Sequence, residues 1–350
     1  MKNTTKEIPI FFASDDNYVP LLATAIKSLL SNASKNYTYK IYVLTTTISQ
    51  EKREKIVAMA TENSTIEFVS LTAELDKLRH LFKLRDYYSQ ETYYRFFIPN
   101  LFPKYKKIIY LDCDIIVKGD ISELYNIDLG NNYVAAAPEE VFILHPNWLN
   151  YPRGALGIEP EDYFNAGVML LNTERMLKDK IAEKFVALAE KYTFRIVQDE
   201  DYLNVLLRDH KMILPLDWNK TAFKNDAYDD KNLKIIHYKI IWRPWHYENV
   251  LYENLFWFYA KQTDFYLDLK DKLAAYDDAA KQKDKDMFEW FVAATKEDAE
   301  SPNSYRLTHK KVMKEGGFFI RKLSKISKLK KVSKLIGIKG HRSVYGSRKK

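Results

Sequence analysis

Asp112 and Asp114 stand two residues apart in the stretch 106–117, where Lys106 and Lys107 precede an otherwise apolar run. The stretch reads as a buried strand of a parallel sheet. In extended chain, side chains two apart point the same way. Both carboxylates are then expected on one face at the carboxyl end of the strand, where open α/β sheets bind ligands. Two carboxylates this close repel each other unless a cation neutralises them. A hard, oxygen-rich site suits Mg²⁺ or Mn²⁺, ions that also hold substrate phosphates. The pattern predicts a metal–diphosphate site. A lone Asp-x-Asp is also a common solvated turn, but here apolar runs flank it on both sides, and charge embedded in a buried segment needs a partner.

Other residues with chemistry lie at the ends of expected elements. Asp15, Asp16 and Asn17 follow a first strand; such residues cap turns, and at a sheet tip they can also read a base or ribose. Arg95 sits among aromatics, where an unpaired charge is expensive to bury. Asn165, Ala166 and Gly167 precede a strand, and the small pair allows a ligand close to the backbone. Asp199, Glu200 and Asp201 open a helix, where acids also serve as ordinary dipole complements. His237 ends a strand. Cys113, between the two aspartates, is the only cysteine. That excludes an intramolecular disulfide framework and a Cys-rich zinc site. Alternation turns it to the opposite, buried face, as a small hydrophobe.

The elements that must position these residues follow from periodicity. Residues 8–13, 39–45 and 65–71 read as strands. The helices between them span 20–30, with Leu22, Ile26, Leu29 and Leu30 on one face, and 49–63. This βαβαβ rhythm predicts a parallel sheet with a nucleotide at the strand tips. Helices are expected at 91–98, 123–129, 173–192 and 198–208, and strands at 133–137 and 234–238. Residues 141–162 hold three prolines and two glycines, and the length of this connection favours a lid or acceptor loop. Residues 251–315 read as helical, aromatic and charged, with no chemistry evident. Only 10 glycines are present, and neither G-x-G-x-x-G nor G-x-x-x-x-G-K-[ST] occurs, so a nucleotide is held by another device.

Seven segments in chain order resemble one family. They are Ala-Ser-Asp-Asp-Asn-Tyr (13–18), Thr-Tyr-Tyr-Arg (92–95), Tyr-Leu-Asp-Cys-Asp (110–114), Phe-Asn-Ala-Gly-Val (164–168), Gln-Asp-Glu-Asp-Tyr-Leu-Asn (198–204), His-Tyr (237–238) and Arg-Pro-Trp (243–245). The sequence is similar, over about residues 8–250, to retaining glycosyltransferase family eight, the group of bacterial lipooligosaccharide galactosyltransferases and glycogenin. The resemblance implies a GT-A fold, a Rossmann-like mixed sheet flanked by helices, with a helical C-terminal extension. It implies Mn²⁺, with Mg²⁺ as the alternative, and a UDP-hexose donor.

By the same resemblance Asp112, Asp114 and His237 match the metal ligands. Ala13, Asp15 and Asn17 match uridine-binding residues, with Tyr87 and Cys113 in the same donor-binding group. Arg95, Asn165, Ala166 and Asp199 match contacts to the donor sugar. Arg243 stands where the family commonly has a diphosphate-binding Lys. Two positions depart from the family. Glu200 replaces a usual Gln, as a nucleophile or, preferred here because the family lacks a general nucleophile, as a stabiliser of oxocarbenium charge. Ile240 replaces the Gly two residues after His-Tyr, which is expected to move the diphosphate loop.

The expected organisation is a transferase domain over 1–260, a helical region over 261–317 and a basic amphipathic tail over 318–350. The tail carries twelve Lys or Arg and no acid against a net charge of +8, which leaves residues 1–317 at −4. Its apolar residues wind around a helix beside the lysines, a pattern that favours an anionic membrane surface over nucleic acid. No run of about 18 apolar residues occurs and the N-terminus does not read as a secretory leader. A cytoplasmic protein on the inner face of the membrane is expected, with a glycan acceptor on a lipid, polymer or protein. The alternatives are a haloacid-dehalogenase-type phosphatase, against which Ile116 replaces the expected Thr or Val, and a non-catalytic UDP-sugar- or nucleic-acid-binding protein.

Overall fold

The computed structural model describes residues 6–70, 76–82, 90–146 and 148–309. Tyr87 and the basic tail 318–350 lie outside the described residues. The chain opens with β1 (Lys6–Ala13), α1 (Val19–Asn32), β2 (Tyr37–Thr45), α2 (Gln50–Val57) and β3 (Ser64–Ser70). The three strands pair in parallel, as the βαβαβ rhythm requires. Pro20 starts α1 without losing a needed N–H. Leu22, Ile26 and Leu29 are fully buried under the sheet. The second helix ends at Val57, six residues short of expectation. It presents only Ile56 to the core, too narrow an apolar face to stabilise further turns.

A 3₁₀ segment (Gln90–Phe97) and α3 (Ile98–Leu101) lead to β4 (Ile108–Leu111), β5 (Ile115–Val117), α4 (Ile121–Asn126), β6 (Val134–Ala136) and α5 (Glu140–Leu144). The stretch 106–117 is therefore two strands and not one. Asp112, Cys113 and Asp114 form the break, and the second half joins a different sheet. The chain continues through β7 (Val168–Leu171), α6 (Thr173–Lys178), α7 (Ile181–Ala189), α8 (Asp199–Leu207), β8 (Lys211–Ile213), β9 (Lys220–Thr221) and β10 (Ile235–His237). The single helix expected over 173–192 divides at Lys180, whose φ is +56°.

The main sheet has the order β3-β2-β1-β4-β7-β6-β8. It is mixed, because β7 runs antiparallel to both β4 and β6. A small sheet, β5-β10-β9, stands beside it. Residues 141–162 are not an open lid. They carry short helical turns and bury Trp148, Tyr151, Leu156 and Ile158 in the core.

Residues 305–309 are helical, and before them come three further helices, α9 (Glu253–Ala260), α10 (Tyr266–Ala274) and α11 (Asp278–Glu300). The last packs its Phe288 and Phe291 rings on Trp148, with centroids 5.0 Å away in both cases. No helix among the described residues is long and apolar enough to cross a membrane.

Candidate functional site

The break after β4 and the end of β10 are brought together by backbone pairing. In the antiparallel β5–β10 register, His237 lies opposite Ile115, and Tyr238 N donates to the Asp114 carbonyl at 2.9 Å. On the other side Asp112 N donates to the Gly167 carbonyl at 2.8 Å, an extension of the β4–β7 ladder. The result is a cluster of Asp112, Asp114 and His237 whose ligand atoms all lie within 4.8 Å of one another. His237 Nε2 is 3.1 Å from Asp114 Oδ1. Gly167 supplies the floor. A Cβ there would stand 2.4 Å from His237 Cε1 and 2.8 Å from Asp112 Oδ2, so only glycine leaves room for both side chains. Two carboxylates and an imidazole in this cradle fit a hard divalent cation.

A chain of hydrogen bonds orients the imidazole. Burial pushes the Glu139 carboxyl up, but the Lys239 ammonium and hydrogen bonds from Lys239 and Asn165 outweigh it, and the group stays below the usual carboxylate range. An ionised Glu139 only accepts. Asn165 must therefore turn its amide nitrogen to it, at 2.6 Å. The Asn165 oxygen then accepts from Gly167 N at 2.8 Å and from Asn219 Nδ2 at 2.6 Å. That leaves the Asn219 oxygen facing His237 Nδ1 at 3.0 Å. Nδ1 thus carries a proton, and Nε2 is the ring nitrogen turned to the carboxylates.

Arg95 ties the cluster to α8. It is 96% buried, and its Nη2 lies 3.0 Å from Asp112 Oδ1 while Nε lies 3.2 Å from Asp199 Oδ2. Nη1 donates to the Ala166 carbonyl at 2.6 Å, and the guanidinium stands 4.3 Å from the Tyr110 ring centroid. Burial raises the Asp199 carboxyl to about 6; Arg95 pulls it down and Asp112 pushes it up. Glu200 Oε2 accepts from Ala166 N at 2.8 Å, and Oε1 is buried with no hydrogen-bond partner. Burial, and then the charge of Glu139, push its carboxyl well above the ordinary range. The helix starts from a strained residue, since Gln198 has φ +50° and ψ −112°. Asp201, by contrast, points into the core, where it accepts from Tyr151 and Tyr163 at 2.7 and 2.9 Å.

Two cavities meet at this cluster. Ala13, Asp15, Tyr18 and Cys113 line one; Asn165, Asp199, Glu200 and Lys239 line the other; Thr92, Arg95, Asp112 and Asp114 line both. Asp15 also caps the turn after β1, accepting from Tyr18 N at 2.9 Å. Asn17 is exposed, and its carbonyl accepts from Lys272 of α10 at 2.7 Å. The Cys113 thiol is buried against the Ala13 carbonyl at 3.3 Å, and burial keeps it protonated.

Arg243 is not at the cluster. It is buried with both oxygens of Asp284 on α11 3.1 Å from its Nη2. The segment 251–315 therefore does hold relevant groups. Asp284 takes Arg243, and Met287, Phe288 and Phe291 line the cavity above the carboxylates. Ile240, also in that lining, has φ +59°, a left-handed conformation that is costly for a β-branched residue.

Glu139, Lys239 and Asn219 were not evident from the sequence pattern. Glu139 follows the tip of β6 and Lys239 stands two residues after His237, and both positions are visible only once strand ends are known.

The chain is similar to known proteins. Residues 9–249 match the family described as Glycosyl transferase family 8. A putative glycosyltransferase of Haemophilus influenzae is 31% identical over 233 residues, 66% of this chain and 69% of that one. The lipopolysaccharide 1,2-glucosyltransferase of Escherichia coli K12 is 26% identical over 260 residues, 70% of this chain and 74% of that one. Among solved structures, galactosyltransferase LgtC in complex with donor and acceptor sugar analogues superposes with a TM-score of 0.60 at 24% identity. The match covers 73% of this chain and 96% of that one. The fold is the GT-A type that the sequence led us to expect.

Proposed function

This chain belongs to glycosyl transferase family 8, and from that premise we propose that it is a retaining hexosyltransferase, moving galactose or glucose from a UDP-sugar to a glycan acceptor. The phosphatase alternative lapses with that membership. The observation that carries the reading is the placement of Asp112, Asp114 and His237 at the junction of two cavities. The Ala13–Tyr18 side suits the nucleoside, the Asp199 side suits the hexose, and the diphosphate then lies across the junction.

Asp112, Asp114 and His237 would hold Mn²⁺, which when bound supplies positive charge to the departing diphosphate. Arg95 sets the distance between Asp112 and Asp199, and so between the diphosphate and a sugar hydroxyl on Asp199. Burial and the charge of Glu139 disfavour the ionised form of Glu200, which makes it a poor nucleophile. This supports front-face transfer without a covalent sugar–enzyme bond. The acceptor oxygen bonds to the anomeric carbon as the bond to the diphosphate oxygen breaks, and the hydroxyl proton leaves with the diphosphate. Arg243 is held by Asp284 on α11 and lines neither cavity, so a role for it at the diphosphate rests on the family resemblance alone.

The test is UDP release from a panel of UDP-sugars, with Mn²⁺ and with EDTA. Metal-dependent release from UDP-galactose or UDP-glucose, abolished in Asp112→Ala, is expected. Near-normal turnover of Asp112→Ala, or UDP binding indifferent to metal, would overturn the reading. For the tail 318–350 we infer attachment to an anionic membrane surface on the cytoplasmic side, from its twelve positive charges and its lack of acids. Its removal should release the protein from anionic vesicles and spare UDP release; unchanged vesicle binding would reject this.

A further inference from the structure

Beside the cavity over the carboxylates runs a second opening, a groove of about 740 Å³ between the segment 241–251 and α11. The cavity itself holds about 110 Å³, while sites that take a whole organic ligand run to roughly 300–1,000 Å³. A hexosyl group and an acceptor ring do not fit that cavity together. The groove adjoins it: Phe288 lines both, and Ile240 lines the cavity while its neighbour Ile241 lines the groove.

The chemistry of the groove is that of a sugar site. Phe223 and Trp242 are half-buried, with ring centroids 4.8 Å apart and planes inclined by 32°. Trp242 offers an apolar face to the C–H face of a pyranose, and Phe223, over whose ring Lys220 Nζ stands 4.7 Å from the centroid, extends that apolar surface. At the mouth stand Lys224 and Lys285 with Glu248 and Glu289, all exposed. Lys224 is itself 2.8 Å from Asp226, and Asp284 is paired with Arg243. The mouth therefore has no surplus of positive charge with which to draw a phosphate or an anionic lipid. It has donors and acceptors in balance, which suits hydroxyl groups. One wall, α11, lies beyond residue 249, where the family match ends. That wall is therefore not drawn from the segment the family shares.

We propose that this groove is the acceptor subsite and takes a neutral saccharide, its ring against Trp242 and Phe223 and its attacking hydroxyl directed past Phe288 into the carboxylate cavity. This rests on the glycosyl-transfer reading above. Phe288 then sets the size of the passage between groove and cavity.

The experiment uses the full chain, the donor that releases UDP, and a panel of methyl β-galactoside, lactose, maltose and N-acetylglucosamine, with glucuronic acid as the anionic control. In Trp242→Ala and Phe223→Ala the KM for the saccharide that accepts should rise at least tenfold, while UDP release without acceptor stays within twofold of the parent. An unchanged acceptor KM in both variants, or preferred transfer to glucuronic acid, would overturn the proposal. Saturation-transfer NMR with the same sugars is the second measurement. Contact with the parent protein that weakens in Phe223→Ala supports the groove, and no contact with any neutral sugar rejects it. Failure of the parent to release UDP from any donor would count against the transfer reading alone, because the NMR result still decides the groove.

Discussion

His237 Nδ1 lies 3.0 Å from the side-chain oxygen of Asn219, and this contact decides which ring nitrogen faces Asp114. The orientation is inherited through Asn165 from Glu139. Replacing Asn219 by Ala frees the ring to turn or to change tautomer. Loss of such an outer partner costs about 10–100-fold in metal affinity. Mn²⁺ titration of Asn219→Ala, followed by the resonance of free Mn²⁺, should read a loss in that range with the fold retained. Parental affinity would remove Asn219 from the site.

Glu200 pairs one oxygen with Ala166 N and leaves the other buried without a partner beside the cavity. If its carboxyl is neutral, an amide reproduces it. Glu200→Gln should keep turnover within about tenfold of the parent, whereas Glu200→Ala should lose about 10²-fold or more, in the range of a lost catalytic hydrogen bond. A nucleophilic Glu200 would make both variants equally inactive.

Asp201 is fully buried, and burial raises its carboxyl to about 7 against the hydrogen bonds from Tyr151, Val197 and Tyr163. A raised carboxyl binds its proton more tightly in the folded chain. Between about pH 4 and pH 7 the unfolded chain is ionised there and the folded chain is not. Stability from this group is therefore present at low pH and lost as pH rises through that window, by an amount of order 4 kcal/mol in full. Asp201→Asn, which can still accept from Tyr151 and Val197, should flatten that part of the profile. Denaturant midpoints at pH 5 and pH 8 measure it; an unchanged pH difference would show that Asp201 does not titrate there.

Ile240 holds φ +59°. At ordinary positions Ala is more stable than Gly by about 0.4–1 kcal/mol. At a left-handed position the order reverses, because a Cβ costs roughly 1–2 kcal/mol. Ile240→Gly should therefore unfold at a higher temperature than Ile240→Ala, although both lack the side chain. The ordinary order would mean that the loop relaxes to negative φ.

Much of this protein was legible in its residues alone. Alternation and helical spacing located β1, α1, β2 and β3, and the paired Asp112 and Asp114 pointed to a cation. Those signals are local: a strand or a helix announces itself through neighbours two to four positions away. The division of 106–117 into two strands of different sheets was not local. It follows from β10 pairing with β5, which brings His237 to Asp114 across 123 positions.

The same holds for Asn219 and Glu139, whose amide chain exists only after three strand ends converge. It holds for Arg243, paired with Asp284 from a helix 41 positions on that the sequence marked as chemically silent. Periodicity determined which faces would be buried. Only tertiary packing decided which polar groups would be buried together, because a buried charge takes whichever partner the fold places beside it.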